Sequence, residues 1–169
     1  MVDLETLGTE PGSVILSIGA VHFSNGSVLS RFIRHISVES CQQAGLGCDA
    51  ATALWWLKQK PEAREALLAG QQDAVLLYQA LTDFTQWLDG LGSDLKVWGN
   101  APSFDCALLK AAYQACDLRL PWRYSAECCY RTVKALYPEV TEHREGIHHS
   151  ALDDAEHQAR HLMKIHLDQ

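Results

Sequence analysis

The feature that most constrains the fold is an apolar, β-branched segment that leads into a tight turn. Residues 13–23 have the composition of a well-buried strand. Asn25-Gly26 follows, a residue pair that favours the positive φ angles of a two-residue hairpin turn. Residues 27–36 then alternate apolar and polar side chains, which predicts the returning strand. Residues 1–5 predict a central partner strand. Because it begins with the chain, either this strand is short or the start codon lies upstream.

The remainder of the chain is mainly helical by its apolar periodicity. Helices are predicted over residues 49–58, 61–68, 73–91, 102–115, 128–137 and from about 150 almost to the end, and strands over 96–99 and 122–126. Three antiparallel strands, then helices alternating with two further strands, predict a mixed five-stranded α/β sheet with helices on both faces. No repeat or linker interrupts this pattern, so residues 1–169 are expected to form a single domain.

The charge balance limits the kinds of partner. The 169 residues carry a net charge of −7, whereas a protein that coats long duplexes normally has a basic face. An enzyme that holds only a chain end through divalent cations needs no such face, because the cations supply the positive charge. No apolar run approaches the roughly 20 residues of a membrane span, and no signal-peptide pattern opens the chain. We therefore expect a cytoplasmic protein that does not enter a membrane.

The cysteines do not suggest a disulfide framework. The six of them are Cys41, Cys48, Cys106, Cys116, Cys128 and Cys129. No pair has C-x-x-C spacing and all lie within apolar patterns, which favours reduced thiols. A zinc site built from Cys41 and Cys48 with nearby histidines is the less favoured alternative.

Four acidic residues in three separated segments point to a metal site. Asp3 and Glu5 are two apart on the first strand, so their side chains share one face. Asp105 follows the strand at 96–99, at the edge of the sheet where α/β sites usually form, and Asp154 lies in the last helix. Clustered carboxylates repel one another unless cations offset their charge, and oxygen ligands suit hard divalent ions. The plainer alternatives are two solvated acids on an exposed strand and, at Asp105, an acid that only favours the helix dipole.

Helical periodicity separates the two neighbouring acids of the last helix. Asp154 borders the apolar side that carries Ala151 and Ala155. Asp153 aligns instead with Glu156 on the polar side and is expected in solvent. Asp154 is therefore the expected inward ligand.

Two adjacent histidines precede this helix. His149 lies about one turn ahead of Asp154 and follows residues 142–148, a predicted mobile loop with Gly146 as its hinge. A neutral imidazole, with a reference pKa of about 6.5, suits the removal of a proton from water that attacks phosphorus. His148 is the rival for this role. Two other histidines are expected at the surface, His143 and His157.

These segments resemble the DEDD superfamily of 3′→5′ exonucleases, which has the ribonuclease H-like fold. The shared motifs are Asp3-Leu-Glu5, Asn100-Ala-Pro-Ser-Phe104-Asp105 and His149-Ser-Ala-Leu-Asp-Asp154. The H-x-A-x-x-D spacing resembles the DEDDh (DnaQ-like) branch. The segments around Asp3, Trp55-Trp56 and Trp98 look similar to a subfamily of compact phage-type exonucleases that includes a bacterial exoribonuclease working as a homodimer.

The resemblance implies a ligand set and a reaction. Asp3, Glu5, Asp105 and Asp154 would hold two Mg²⁺ or Mn²⁺ ions, with His149 as the general base. The implied reaction is hydrolysis of phosphodiester bonds from the 3′ end of single-stranded DNA or RNA, by a two-metal mechanism that releases nucleoside 5′-monophosphates. A homodimer is the expected assembly by the same comparison.

The resemblance also implies a substrate-binding set. Thr6 and Leu7 would contact the terminal nucleotide, with Leu7 beside the last base. Asn100, Phe104 and Trp56 complete the expected set.

Two choices stay open from the residues. Trp55 and Trp56 point about 100° apart on a helix, so one is expected in the core while the other is free to stack on a base or contact a second subunit. Alternatives to the exonuclease are an oligoribonuclease-like enzyme for short RNA, a catalytically idle nucleic-acid-binding module, and an endonuclease or resolvase of the same fold. DNA and RNA are not distinguished by these residues.

Overall fold

The structure, a computed structural model, describes residues 1–92 and 94–167, and three antiparallel strands form its centre. These are β1 (Val2–Thr6), β2 (Ile15–Ser24) and β3 (Ser27–His35), arranged in that order. Asn25 and Gly26 both have positive φ and form the predicted turn between β2 and β3. β1 is short, but all five of its residues pair with β2.

Two further strands form a separate parallel pair, β4 (Val97–Gly99) and β5 (Glu127–Cys129). β4 lies beside β1, but no ladder of hydrogen bonds joins these two strands in the described ranges. The five strands therefore do not join into the predicted single sheet, because three-residue strands leave little edge to pair. The predicted strand at 122–126 is also wrong. A 3₁₀ turn, Tyr124–Ala126, occupies its second half, and β5 begins after it.

Seven α-helices complete the described part of the chain. They are α1 (Val38–Gln43), α2 (Ala50–Leu57), α3 (Pro61–Gln72), α4 (Leu77–Asp89), α5 (Asp105–Ala115), α6 (Tyr130–Leu136) and α7 (Ala151–Leu167). The helix predicted over 73–91 begins later than expected. Val75 instead continues the β3 edge: its N–H donates to the His35 carbonyl (2.9 Å), and its carbonyl accepts from the Ser37 N–H (2.9 Å).

The hydrophobic core covers both faces of the three-stranded sheet, as predicted. On one face, Leu4 and Ile18 share a cluster with Phe84 of α4 and Leu109 of α5. On the other face, Val21 packs with a second cluster that includes buried residues of α7, namely Ala155, Ala159 and Leu162. The apolar side that periodicity assigns to α7, with Ala151 and Ala155, is buried. The sheet is thus held between helices, and α7 lies on the face that carries Asp3 and Glu5.

All six cysteines are free thiols, in agreement with the predicted reduced state. Cys41 is buried and its thiol donates to the Ile15 carbonyl (3.5 Å), whereas Cys48 is exposed, so the zinc alternative gains no support. Within residues 1–92 and 94–167, no helix combines the length and apolar character needed to cross a membrane.

Candidate active site

The first two carboxylates project from β1 toward the start of α7. Asp3 pairs with Gly19 of β2, so the two residues face the same side of the sheet. A Cβ atom on Gly19 would lie 2.2 Å from the backbone of Ala151. Because glycine has no side chain, the first turn of α7 can approach the sheet at this point. The helix start is thereby brought to the strand that carries Asp3 and Glu5.

This approach brings Asp154 to Glu5. One carboxylate oxygen of each, with a ring nitrogen of His149, lie within 4.8 Å of one another. The backbone N–H of His149 also donates to Asp154 Oδ2 (3.1 Å). One turn further along α7, Gln158 donates to Asp3 Oδ1 (2.8 Å). Asp154 is only 9% exposed, so the prediction that it faces inward is confirmed.

The fourth carboxylate, Asp105, is the first residue of α5 and lies against the end of β4. A Cβ atom on Gly99 would lie 2.7 Å from Asp105 Oδ2, so the glycine makes room for the carboxylate. Burial raises the pKa of Asp105 to about 7, although nearby backbone N–H groups, that of Ala101 first, act to lower it. The Asp105 side chain is not on the cleft wall but beneath it, and it is 1% exposed.

The buried carboxylates disfavour one another's charge. Burial, then Asp105 and Glu5, raise the pKa of Asp3 well above its usual range. Burial and Asp105 raise the pKa of Glu5 to about 8, partly offset by Arg144. Glu5 Oε1 and Asp105 Oδ2 are buried and have no hydrogen-bond partner among the described residues. An all-oxygen set with orphaned acceptors and mutual repulsion fits hard divalent cations, which would satisfy these oxygens and offset their charge.

One cation of the chain reaches this cluster from the 137–150 loop, which connects α6 to α7. Arg144 forms an ion pair with Asp154 Oδ1. Its charge also lowers the pKa of Asp3 and of Glu5. No motif or periodicity of the sequence singles out this arginine.

Asp153 is not free in solvent, which corrects the prediction made for it. Its carboxylate is half-buried and accepts from the backbone N–H of Ile147 (2.8 Å). The predicted hinge Gly146 has φ +79° and packs so closely that a Cβ atom there would lie 2.6 Å from the Asp153 carboxyl carbon. Asp153 therefore holds the 137–150 loop against α7 while Asp154 faces the acids.

His149 lies among aromatic rings just before α7. Its ring centre is 4.8 Å from that of Trp55 and 6.1 Å from that of Trp56, both edge-on, and 4.1 Å from that of His148. Its φ of +66° places it in a left-handed turn rather than in the helix. Burial, then the charges of His148 and Arg144, lower the pKa of His149 to about 4, so its imidazole is neutral at pH 7.

A cleft of about 730 Å³ opens over these residues. Four of the five residues predicted to bind substrate line it: Thr6, Asn100, Phe104 and Trp56. Leu7 does not. It packs on the hydrophobic core, because β1 ends at Thr6 and the chain turns inward to pair with Val14.

Of the two adjacent tryptophans, one is buried and the other is exposed, as periodicity predicts. Trp56 is 5% exposed and its indole N–H donates to the Thr6 carbonyl (2.9 Å). Trp55 is 41% exposed and packs edge-on against Trp56, with ring centres 5.2 Å apart. Trp56 was the one assigned to substrate, but the exposed ring belongs to Trp55.

Several polar side chains of the cleft were not predicted, among them Arg144, Lys134, His157 and Gln158. His157 was expected at the surface. It is half-buried instead, and its Nδ1 has no hydrogen-bond partner in the described part of the chain. Gln158 follows Asp154 by four residues, so helical periodicity could have found it. Arg144 and Lys134 carry no such local signal.

Comparison with known proteins gives one finding. A family model described as the 3′-5′ exoribonuclease Rv2179c-like domain matches residues 1–166. A search of curated proteins gives no match. The matched range runs from β1 into α7 and includes every element that contributes a carboxylate to the cluster. The chain therefore belongs to the Rv2179c-like 3′-5′ exoribonuclease domain family and is a member of a 3′-5′ exonuclease family.

Proposed function

We propose that this protein is a metal-dependent exonuclease that removes nucleotides from the 3′ end of single-stranded RNA and releases nucleoside 5′-monophosphates. The observation that carries the proposal is the cluster of Asp3, Glu5, Asp105 and Asp154, in which burial raises the pKa of the first three. A module that only bound nucleic acid would have no use for such mutual repulsion. The family description supports RNA as the substrate over DNA.

The four carboxylates would hold two Mg²⁺ or Mn²⁺ ions. The unpartnered oxygens of Glu5 and Asp105 support this assignment, since each is buried without a hydrogen-bond partner among the described residues. Gln158 orients Asp3 by donating to its Oδ1 (2.8 Å). Divalent cations bound there supply Lewis-acid chemistry, which lowers the pKa of water and stabilises a leaving 3′ oxygen.

His149 would act as the general base, which would place the chain in the DEDDh branch. Its ring nitrogen lies within 4.8 Å of Glu5 and Asp154 oxygens, so a water in the cluster is within its reach. The imidazole is neutral at pH 7, which is the protonation state that a general base requires. Trp55 and Trp56 hold the ring edge-on. His148 is more exposed and is the weaker candidate.

Other residues that line the cleft would bind the terminal nucleotide. Trp55 offers an exposed ring on which a base can stack, and Trp56 supports it from the core side. Asn100 and Phe104 line the cleft beside the acids and would contact the sugar or base. Lys134 also lines the cleft and would contact a phosphate.

The direct test is degradation of matched 5′-labelled RNA and DNA oligomers with Mg²⁺, Mn²⁺ or a chelator. We expect ladders that shorten stepwise from the 3′ end, faster for RNA, and none with the chelator. Trp55→Ala should raise KM about tenfold, since stacking on an aromatic ring is worth about 1–3 kcal/mol per base.

Each other outcome would point to a different protein. Internal cuts would indicate an endonuclease, and activity confined to very short RNA would indicate an oligoribonuclease-like enzyme. Binding without hydrolysis at any metal concentration would indicate an idle module.

A further inference from the structure

Arg144 is the cation that the chain itself directs at the carboxylate cluster. Its guanidinium pairs with Asp154 Oδ1, and its charge acts on Asp3 and Glu5 as well. Its side chain is 29% exposed and lines the cleft. Its Nε is buried and has no hydrogen-bond partner among the described residues. The guanidinium is therefore only partly satisfied by its contact with Asp154.

Arg144 and a divalent cation would use the same carboxylate. Asp154 Oδ1 faces Arg144, and Oδ2 accepts the backbone N–H of His149 (3.1 Å). A cation that coordinates Asp154 would then stand beside a guanidinium at contact distance. Two like charges that close repel strongly in a half-buried site, where screening by water is weak. Binding of a cation and the Arg144–Asp154 pair therefore oppose each other.

The 137–150 loop can release the side chain without moving its backbone. On one side of Arg144, the Thr141 carbonyl accepts from Lys164 Nζ (2.7 Å). On the other side, Glu145 pairs with Arg160 (2.8 Å). Neither contact involves the side chain of Arg144. That side chain is long and has several rotatable bonds, so it can move by itself. A guanidinium that leaves Asp154 stays over the cleft, next to the path proposed for the RNA.

We propose that Arg144 exchanges partners during the reaction cycle. It pairs with Asp154 until a divalent cation binds, and it then binds a phosphate of the RNA 3′ end. This rests on the proposed function, because it takes Asp154 as a metal ligand. The planar fork of N–H donors matches phosphate oxygens, so a phosphate satisfies the guanidinium better than one carboxylate oxygen does.

The first test measures Mn²⁺ binding without substrate by calorimetry, at pH 8. Arg144→Met should bind Mn²⁺ about tenfold more tightly than the wild type, because the competing charge is gone. Arg131→Met is the matched control. It removes an exposed arginine at the start of α6 that does not line the cleft, and it should change the affinity less than about twofold. Unchanged or weaker Mn²⁺ binding by Arg144→Met would overturn the exchange.

The second test compares a nucleoside 5′-monophosphate with the same nucleoside lacking the phosphate, both in the presence of Mn²⁺. Arg144→Met should weaken binding of the monophosphate about tenfold and leave binding of the nucleoside unchanged, with Arg144→Lys in between. Equal losses for both ligands would mean that Arg144 only supports the loop, and would overturn the phosphate contact.

The two tests separate this inference from the function on which it rests. If the wild type binds no Mn²⁺, the proposed metal site fails. If the wild type binds Mn²⁺ and Arg144→Met binds it equally well, only the exchange fails. Thermal melting checks that each variant is folded, and Arg144→Gln replaces Arg144→Met if the latter is not.

Discussion

The two walls of the cleft are built in different ways. The acidic wall, Asp3 and Glu5, belongs to β1, and Asp105 lies beneath it in the first turn of α5. The loop wall, Arg144, His148 and His149, belongs to the 137–150 loop, which has no regular secondary structure. Asp154 in α7 lies between the two walls and contacts both.

Because of this difference, the acidic wall is preorganised, whereas the loop wall can change its contacts. β1 is paired along its whole length, so its carboxylates cannot move apart without breaking a hydrogen-bonded ladder. The fold therefore keeps these carboxylates close together despite their mutual repulsion. The loop wall is held by side-chain contacts to α7, such as those of Asp153 and Arg160, each of which can break singly. We expect substitutions in the acidic wall to change chemistry and folding stability, and substitutions in the loop wall to change mainly turnover or substrate binding.

The largest expected effect is on the acidic wall. Glu5→Gln should lower the hydrolysis rate of 5′-labelled RNA at saturating Mg²⁺ about 1,000-fold, because a lost carboxylate ligand costs several kcal/mol of electrostatic stabilisation. Glu62→Gln, an exposed acid of α3, should have the rate of the wild type. A Glu5→Gln enzyme that kept a tenth of its activity would refute the ligand assignment.

The next effect lies in the loop wall. His149→Ala should slow turnover about 100-fold, a typical loss for a general base, while the affinity for Mn²⁺ changes less than about twofold. His148→Ala should lose less than about tenfold in rate. If Mn²⁺ affinity falls together with the rate, His149 is a ligand rather than a base. If His148→Ala is the slower enzyme, the base is His148.

The buried carboxyl group of Glu5 should also make the free energy of unfolding depend on pH. Its pKa is about 8 in the fold against an ordinary value of 4.5, so between these values the folded protein binds a proton that the unfolded chain lacks. The contribution of Glu5 to the free energy of unfolding therefore falls as pH rises across this window. With a chelator present, Glu5→Gln should be as stable as the wild type near pH 5 and more stable by about 1–3 kcal/mol at pH 8. Urea unfolding at both pH values measures the difference, and a pH-independent difference would contradict the burial argument.

The smallest expected effect comes from the tie between the loop and α7. Asp153→Ala removes the acceptor of the Ile147 N–H and should lower activity about three- to tenfold, while trypsin should cleave faster after Arg144. Asp154→Ala should lose about as much activity as Glu5→Gln. Equal losses for the two neighbouring aspartates would remove the distinction between ligand and tether.

Local periodicity predicted the side-chain directions of much of the candidate site. Alternation along a strand placed Asp3 and Glu5 on one face, and helical spacing distinguished Asp154 from Asp153. The separation of Trp55 from Trp56 follows the same rule. In each case the direction of a side chain depends on its own element, and that is information the nearby residues contain.

Predictions failed where a residue's place depends on distant contacts. Residues 73–76 leave the helical pattern because Val75 joins the edge of β3. Arg144 and His157 line the cleft where the 137–150 loop folds back on α7. The contacts that hold the loop there, from Arg160 to Glu145 and from Lys164 to Thr141, are not predicted by any local pattern.

The amino-acid sequence alone predicted the four acids of the candidate site, the strand and helices that present them, and the two-sided cover of the central sheet. Only the tertiary structure decided how closely those elements approach. The missing side chain of Gly19 lets α7 touch the sheet, and that of Gly99 lets Asp105 lie against β4. The physical reason is the sequence distance over which each effect acts. Periodicity gives the direction of a side chain within one element. The contact of a strand, two helix starts and a loop depends instead on packing between residues more than 100 positions apart.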